Sequence, residues 1–376
     1  MSLLLATFLT LVPYLIIPIA AQTWTSCNPL NGTGCPPDLA LGTSNASFTL
    51  NSTSSFESSL WNTTAGTLTY NSSGAAFTIA QKGDAPTIQT KFYIFFGEVE
   101  VWLKAAPGQG VVSSVVLQSD DLDEIDQEFI GNNDTHAENN YYGKGNTTDA
   151  YERAKWYPLP NGGSPTEGYH NYTTRWTNES LEWYIDGSIV RTLAYADANG
   201  GASYPQTPMN VRIGIWAGGD SDNSNYTIQW AGGEIDYSKG PYTMFVQSVR
   251  ITDFSTGSEY KYGDTTGTWQ SIQTVPGNST ALKILTAPPP ESVTQRFNGL
   301  SHGAKIGIFS TAAAAIAVCV GMWVFCCVKQ RRAGKAERRV ADAMYEKDTA
   351  ELMAYRSRMG KGGYVRERER EMEDEY

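Results

Sequence analysis

The chain has 376 residues, and 39 Asp and Glu against 28 Lys and Arg give it a formal net charge of −11 at pH 7. The segment from Lys329 to Tyr376 has a small excess of basic residues, so the acidic excess lies in the part of the chain before it. Such an acidic surface argues against binding to nucleic acid or to anionic lipid through that part.

The first apolar stretch, MSLLLATFLTLVPYLIIPIAAQ, ends in small residues and predicts a secretory signal peptide over residues 1–21. Its start carries no basic residue, and its length would also suit an uncleaved membrane anchor. Pro13 and Pro18 interrupt the run, and Ala20 and Ala21 offer a cleavage site, which favours removal of the segment.

Two of the five cysteines, Cys27 and Cys35, follow this signal, and in an oxidising compartment they are expected to form a disulfide. Cys326 and Cys327 lie at the end of a second apolar run, where they are either palmitoylation sites or ordinary apolar residues of a helix. Eleven Asn-X-Ser/Thr sequons all precede that run, which indicates that the preceding part is exported.

Residues 22–274 consist of short β-type runs separated by turn residues. Examples are the runs at 77–81, 91–105, 111–120, 181–193, 209–219 and 242–254. The pair Asp186-Gly187 between apolar flanks is a signal for a two-residue hairpin. Many short strands without a convincing helix predict an all-β domain, either a β-sandwich or a jelly roll.

The stretch DDLDEIDQEF at 120–129 contains three acids on every second residue, at positions 124, 126 and 128. In a strand, Glu124, Asp126 and Glu128 share one face, and the residues between them point to the other face. Three neighbouring carboxylates repel each other and raise one another's pKa. A retaining glycosidase needs two closely spaced carboxyl groups, one as nucleophile and one as general acid and base.

A solvated acidic strand or a calcium site would also explain these acids, but calcium prefers carboxylates with carbonyls around a glycine turn. The calcium-like stretch DSDNSN at 220–225 lacks that glycine, and GKGNT at 143–147 lacks the spacing of a phosphate loop. The three histidines form no cluster with Ser or Cys. We therefore expect no metal and no cofactor.

Residues 275–305 contain a triple proline and are predicted to form a linker or stalk. Residues 306–328 are uncharged and long enough to cross a bilayer as a helix. The KQRR that follows predicts a cytoplasmic tail at 329–376 and an extracellular N-terminal part. The charge-dense tail is predicted to be disordered.

The ExDxE motif resembles that of glycoside hydrolase family 16. The flanking sequence is similar to the fungal Crh group within this family, the cell-wall chitin-glucan transglycosylases. The similar segments lie at 119–131, 140–148, 176–192, 204–220 and 228–242. The resemblance implies a concanavalin-like β-jelly roll sandwich, curved so that the sugar lies along its concave face. It also implies Glu124 as nucleophile, Glu128 as general acid/base and Asp126 as an assisting residue, in a motif without a bulge.

Sugar rings stack on aromatic faces, so Trp216 and Trp230, each followed by Ala-Gly-Gly, are candidate substrate platforms, although both would also suit the core. Further candidate substrate-binding residues are Tyr142, Lys144 and Arg191. Three further tryptophans, Trp102, Trp176 and Trp183, are weaker candidates for sugar platforms, because their strand context suits burial in the core equally well.

The resemblance implies an enzyme of the plasma membrane and cell wall that cleaves a chitin donor and transfers the chain to a β-1,3/1,6-glucan acceptor. The lipid bilayer would be its other partner, through the C-terminal helix rather than through a lipid anchor. Two alternatives remain, a hydrolase of β-glucan or chitin and a non-catalytic, lectin-like protein that binds the wall. Three mutually repelling acids argue against the last of these.

Overall fold

The computed structural model describes residues 24–32, 34–42, 45–51, 55–148, 150–287 and 293–359. The predicted signal peptide lies outside these residues. The chain divides into two compact units, Met1–Ala287 and Pro288–Tyr376.

The first unit is built from strands, as the short alternating runs predict. Its described strands are β1 (Asp38–Leu39), β2 (Asn45–Thr49), β3 (Trp61–Ala65), β4 (Thr69–Asn71), β5 (Gly74–Ile79), β6 (Thr87–Thr90), β7 (Gly97–Lys104), β8 (Val111–Ser119), β9 (Glu124–Ile130), β10 (His136–Tyr142), β11 (Lys155–Pro158), β12 (His170–Trp176), β13 (Ser180–Ile185), β14 (Ser188–Ala194), β15 (Met209–Ala217), β16 (Tyr242–Asp253), β17 (Glu259–Tyr262) and β18 (Ile272–Val275). The described helices are α1 (Ala150–Arg153), α2 (Asn225–Trp230), α3 (Thr280–Thr286), α4 (Val293–Gly299) and α5 (His302–Arg358).

Two antiparallel sheets form the sandwich. The first, here called the cleft sheet, has the strand order β11-β10-β9-β8-β15-β6-β3. The second, here called the outer sheet, has the order β14-β13-β12-β7-β16-β5-β4, with β2 also paired to β16. A small third sheet joins β1, β17 and β18. The predicted all-β sandwich is confirmed.

The core lies between the two large sheets and is filled by alternate residues of their strands. In β7 the buried and less buried positions alternate along the strand, and Val99, Val101 and Leu103 are all at most 1% exposed. Burial of such side chains contributes on the order of 1.5–3 kcal/mol each before the cost of ordering the chain is counted. This alternation leaves the other face of each sheet free for polar residues.

Two local predictions from the sequence are confirmed. Asp186 and Gly187 both have positive φ, 49° and 78°, and join β13 to β14 as a tight hairpin. A two-residue turn with both φ values positive follows the natural twist of the strands it connects. Cys27 and Cys35 form the expected disulfide.

The folded unit extends beyond the predicted boundary at residue 274. After β18, Ser279 caps α3 by accepting a hydrogen bond from the Leu282 N–H, and its hydroxyl donates to the Leu41 carbonyl at 2.7 Å. Ala281 is 5% exposed, and Ile284 packs against the core. Residues 275–287 are therefore not a stalk, because this capped helix buries an apolar side. The triple proline lies outside the described residues.

In the second unit, α5 runs from His302 to Arg358 and is long and apolar enough to cross a membrane. The predicted disorder of the tail is wrong for residues 329–358, which continue this helix. Ala, Glu, Lys and Arg dominate that segment and have high helix propensity, and Lys347 and Glu351 form an i,i+4 ion pair at 3.9 Å. Residues 360–376 lie outside the described part.

Candidate active site

The acidic motif lies on β9, in the middle of the cleft sheet. Ile125 and Phe129 point into the core and are both 0% exposed. Glu124, Asp126 and Glu128 therefore share the opposite face, where they line a cleft of about 850 Å³. The pairing of β9 with β8 and β10 runs without a register shift through the motif, so the strand has no bulge there, as its spacing predicts.

The two neighbouring strands place a polar row on each side of the motif. On β10 the residues directly opposite Glu124, Asp126 and Glu128 are Tyr142, Asn140 and Glu138. On β8 they are Gln118, Val116 and Ser114. Residues opposite each other in an antiparallel pair lie on the same face, so Glu138 brings a fourth carboxyl group into the cleft.

Glu124 and Asp126 lie on the same face of β9, and each shifts the pKa of the other. Desolvation in the cleft floor raises the pKa of Glu124 to about 7, whereas the hydrogen bond from Asp126 and the charge of Arg212 both lower it. The pKa of Asp126, which is 3% exposed, is raised by desolvation first and then by the charges of Glu124 and Glu128. The hydrogen bond to Glu124 raises it further. The interaction between the two acids therefore favours ionisation of Glu124 before that of Asp126.

Glu128 and Glu138 form the second carboxyl pair. Desolvation and the charge of Glu138 raise the pKa of Glu128 well above its usual range. Glu138 is 2% exposed, and burial raises its pKa to about 7, against the effect of a hydrogen bond from Trp230 and of the Arg191 charge. The environment thus favours a protonated Glu128 beside a more readily ionised Glu124, a separation of roles that acid–base chemistry requires.

The two tryptophans that precede Ala-Gly-Gly come together over these acids. Trp216 lies one residue before the end of β15, and Trp230 is the last residue of α2. Their rings are stacked with centroids 5.8 Å apart and planes at 22°. Trp230 Nε1 donates to Glu138 Oε2 at 2.7 Å, and a hydrogen bond from Trp216 lowers the pKa of Glu128. Both rings also pack against a small buried cluster around Val112. They therefore belong partly to the packing and partly to the cleft wall.

The cleft wall is completed by residues from the flanking loops and from β11. Trp156 on β11 is the Cα partner of Glu138 and is 37% exposed. Further residues that line the cleft are Leu122, Gly145, Thr147, Ala150, Ala154, Ser224, Tyr226 and Thr227. Aromatic rings beside a row of carboxyl and amide groups suit a polymer with apolar ring faces and many hydroxyl groups.

Three of the five predicted substrate-binding residues line this cleft, namely Trp216, Trp230 and Tyr142. The Tyr142 hydroxyl accepts a hydrogen bond from Asn140 Nδ2 at 3.0 Å. The other two predicted residues, Lys144 and Arg191, are not among the lining residues.

Arg191 lies against the core side of β10. It donates to the Asn139 carbonyl and to the Arg153 carbonyl, both at 2.8 Å, and its guanidinium stacks over the Trp183 ring at 4.7 Å. Arg191 therefore affects the site by lowering the pKa of Glu138 through its charge, and not by lining the cleft.

Lys144 has a positive φ of 54° in the turn after β10, and its backbone N–H donates to Asp123 Oδ1 at 2.8 Å. Burial raises the pKa of Asp121 and Asp123, which are both 0% exposed, and the charge of Lys144 partly opposes this shift. This residue thus stabilises buried acids outside the cleft.

The remaining tryptophan candidates do not line the cleft. Trp176 and Trp183 are fully buried, and their indole N–H groups donate to the carbonyls of Pro205 and Asp126, at 2.8 and 3.2 Å. Trp102 lies on the outer sheet.

Sequence reasoning missed Glu138, Asn140, Gln118 and Trp156. Glu138 and Asn140 occupy alternate positions of HAENNYY, a run with no apolar alternation. Their place beside the motif depends on the register between β9 and β10. The short loop at 131–135 between the two strands was the one available signal of an antiparallel pair.

Known proteins are similar to this chain in sequence and in fold. The model of glycosyl hydrolases family 16 matches residues 56–232. Crh-like protein 2 of Botryotinia fuckeliana is 53% identical over 354 residues, which cover 92% of this chain and 77% of that protein. Crh-like protein 3 of Aspergillus fumigatus is 47% identical over 91% of this chain and 92% of its own length.

This chain belongs to the Crh-like proteins of glycosyl hydrolase family 16. The solved structure of an apo Crh5 transglycosylase is similar to this Crh-like chain, with 51% sequence identity and a TM-score of 0.63. The match covers 66% of this chain and all of that one. A second solved structure is a Crh5 transglycosylase in complex with NAG, with a TM-score of 0.62.

Family membership and the structural match make this Crh-like protein an enzyme of the glycosyl hydrolase and transglycosylase class. The cleft with four carboxyl groups and stacked indoles is where the chain places groups suited to that chemistry.

Proposed function

We propose that this Crh-like protein is a retaining transglycosylase that cleaves chitin and transfers the released chain to β-1,3/1,6-glucan, thereby crosslinking the fungal cell wall. The observation that carries the proposal is the separation of two acid pairs in one cleft. Glu124 and Asp126 form one pair, and Glu128 and Glu138 form the other; burial raises the pKa of Glu124 to about 7 and that of Glu128 well above its usual range, so Glu124 ionises more readily than Glu128.

In the first step Glu128 donates its proton to the oxygen of the scissile glycosidic bond, and a Glu124 carboxylate oxygen attacks the anomeric carbon. The C–O bond to the leaving chain breaks, and a glycosyl-enzyme ester forms at Glu124. The hydrogen bond from Asp126 stabilises the charge of Glu124 before the attack and its leaving carboxylate after the second step.

In the second step Glu128, now ionised, takes the proton of an acceptor hydroxyl group as that oxygen attacks the anomeric carbon. The ester bond breaks, and both carboxyl groups return to their starting states. An acceptor sugar competes with water by being held in place, since a positioned hydroxyl gains a large effective concentration. The indoles of Trp216 and Trp230 and the side chain of Tyr142 are the proposed platforms for the sugar rings.

We propose chitin as the donor because the related Crh5 transglycosylase has been solved in complex with NAG, and N-acetylglucosamine is the repeating unit of chitin. We place the catalytic unit outside the cell, with the apolar part of α5 spanning the plasma membrane and residues after 328 in the cytoplasm. The run of basic residues that follows the apolar segment supports this orientation.

The test is a transfer assay with the full-length chain in detergent, chitin oligomers as donor and a fluorescent β-glucan oligosaccharide as acceptor. The wild type should yield a longer fluorescent product, and Glu124→Gln should reduce its rate at least about a thousandfold. Glu57→Gln is a matched control, since Glu57 is an exposed loop residue that does not line the cleft. Shortened chitin without extension of the fluorescent acceptor would show that the enzyme is a hydrolase rather than a transglycosylase. Full activity of Glu124→Gln would show that Glu124 is not the nucleophile.

A further inference from the structure

The solvent side of the outer sheet carries an exposed tryptophan directly opposite the asparagine of a sequon. Trp102 on β7 is 39% exposed, and its Cα partner on β12 is Asn171. Directly opposite residues of an antiparallel pair have Cβ atoms about 4.5–5.5 Å apart. The indole and the carboxamide therefore stand side by side on one face.

The sequon Asn171-Tyr172-Thr173 alternates between the two faces of β12. Tyr172 is 1% exposed and points into the core, so Asn171 and Thr173 lie on the outer face. Thr173 Oγ1 donates to Asn171 Oδ1 at 2.7 Å. The Asn171 Nδ2 atom, the one that a glycan would modify, makes no hydrogen bond to the described residues.

Space for a sugar adjoins this pair. Trp102 and Asn171 line an open groove of about 800 Å³ on the outer sheet. Its other walls are polar and charged, and include Glu98, Glu100 and Arg175. A pyranose ring presents an apolar C–H face and hydroxyl edges, so it fits a flat indole surrounded by hydrogen-bonding groups.

We propose that Asn171 is N-glycosylated and that the first N-acetylglucosamine of its glycan stacks on Trp102. The attached sugar then covers an indole that would otherwise be a large exposed apolar group, and it stabilises the outer sheet by doing so. This inference rests on the export of the domain, which is part of the proposed function.

The pairing distinguishes Asn171 from the other sequons on the described strands. Asn45, Asn62 and Asn71 are also sequon asparagines within strands. Their Cα partners are Thr252, Gln89 and Gly74, respectively. Among the strand pairs that the structure describes, an aromatic residue faces a sequon asparagine at Asn171 alone.

The experiment uses the full-length chain, secreted through a glycosylating eukaryotic host and purified in detergent. Mass spectrometry of glycopeptides should show a glycan at Asn171. Thermal unfolding is then followed for wild type, Trp102→Ala and Trp102→Tyr. Each is measured with its intact glycans, after an endoglycosidase that leaves one N-acetylglucosamine, and after an amidase that removes the whole glycan.

Trp102→Ala should lower the Tm by about 2 °C or more in the intact and trimmed proteins, and should have no effect after complete removal. Trp102→Tyr should retain most of the wild-type Tm, because an aromatic face remains. Asn171→Gln should abolish the effect of Trp102→Ala, whereas Asn45→Gln, on the same sheet face, should leave it unchanged.

An unmodified Asn171 beside occupied sequons elsewhere would overturn the inference while leaving export intact. Absence of glycan at every sequon would overturn export itself, and the inference with it. An equal effect of Trp102→Ala with and without glycan would show that the indole does not contact the sugar. Loss of chitin-oligomer binding in the fully deglycosylated Trp102→Ala protein would assign the groove to free polysaccharide instead.

Discussion

Glu128 and Glu138 face each other across the β9–β10 pair, and each carboxyl group is contacted by one of two stacked indoles. Trp230 donates to Glu138 at 2.7 Å, and Trp216 interacts with Glu128. Two like charges in this position repel, so the pair holds a proton to a higher pH than either residue would alone. This relationship sets the protonation of the proposed general acid.

Glu138→Gln should shift the basic limb of the pH–activity profile towards lower pH by about one pH unit. Glu128 must be protonated to act as the acid, and above pH 7 the charge of Glu138 opposes its ionisation. Removing that charge lowers the pKa of Glu128, so activity is lost at a lower pH. The measurement is kcat/KM for transfer from pH 4 to 9, with Glu100→Gln on the outer sheet as control. A basic limb that does not move would rule out this role of Glu138.

Trp230→Ala should raise the KM for the oligosaccharide about two- to tenfold, whereas Trp230→Phe should restore most of the affinity. The phenyl ring keeps an aromatic face next to Trp216 but cannot donate to Glu138. Trp230→Phe should therefore raise the pKa of Glu138, since the lost hydrogen bond lowers it. Initial rates over a range of donor concentrations give the KM values, and the same rates over a range of pH follow the pKa of Glu138. Equal KM values for all three proteins would mean that this indole does not contact the sugar.

The placement of the three acids on one face of a strand could be predicted from the sequence, because it depends only on neighbouring residues. Period-two spacing alone places Glu124, Asp126 and Glu128 on one face, and the flanking Ile125 and Phe129 identify the other face as core.

Glu138 could not be predicted, because its position depends on which strand pairs with β9 and in which register. The stacking of Trp216 on Trp230 depends on a helix and a strand that meet only in the folded chain. Residues 275–287 and the helical tail are different cases. For residues 275–287 the sequence contained a helix signal, the Ser279 cap followed by Ala281 and Ile284, but the triple proline outweighed it. For the tail, the Ala- and Arg-rich composition favoured a helix, but the charge density outweighed it.

The free energy of unfolding should fall as the pH rises from about 4.5 to about 7. Glu124 and Glu138 have pKa values of about 7 in the folded state against 4.5 in the reference state. A group whose pKa is raised on folding contributes its full stabilisation below the unfolded pKa and loses it as the pH rises through the folded one. Glu138→Gln should therefore be more stable than wild type at pH 7, by on the order of 1–3 kcal/mol, and similar to it at pH 4.5. Denaturant unfolding at the two pH values tests this, and a difference that does not change with pH would contradict it.

Trp183→Phe should reduce both stability and turnover, although Trp183 does not line the cleft. Its indole N–H crosses the core from β13 to the Asp126 carbonyl at 3.2 Å, and so holds the middle of the motif strand from behind. Loss of this buried hydrogen bond should cost about 1–3 kcal/mol of unfolding free energy. Because Asp126 then has more freedom to move away from Glu124, kcat should fall with little change in KM.

Trp176→Phe is the matched control for this prediction. Trp176 is equally buried, and its indole N–H donates to a backbone carbonyl, that of Pro205, at 2.8 Å, but not to the motif strand. Both variants should lose similar stability, measured by denaturant unfolding. Only Trp183→Phe should lose turnover at a temperature where both proteins are fully folded. If the two variants lost activity in proportion to their loss of stability, the contact to Asp126 would have a purely structural role, because a positioning contact must change kcat in a protein that remains folded.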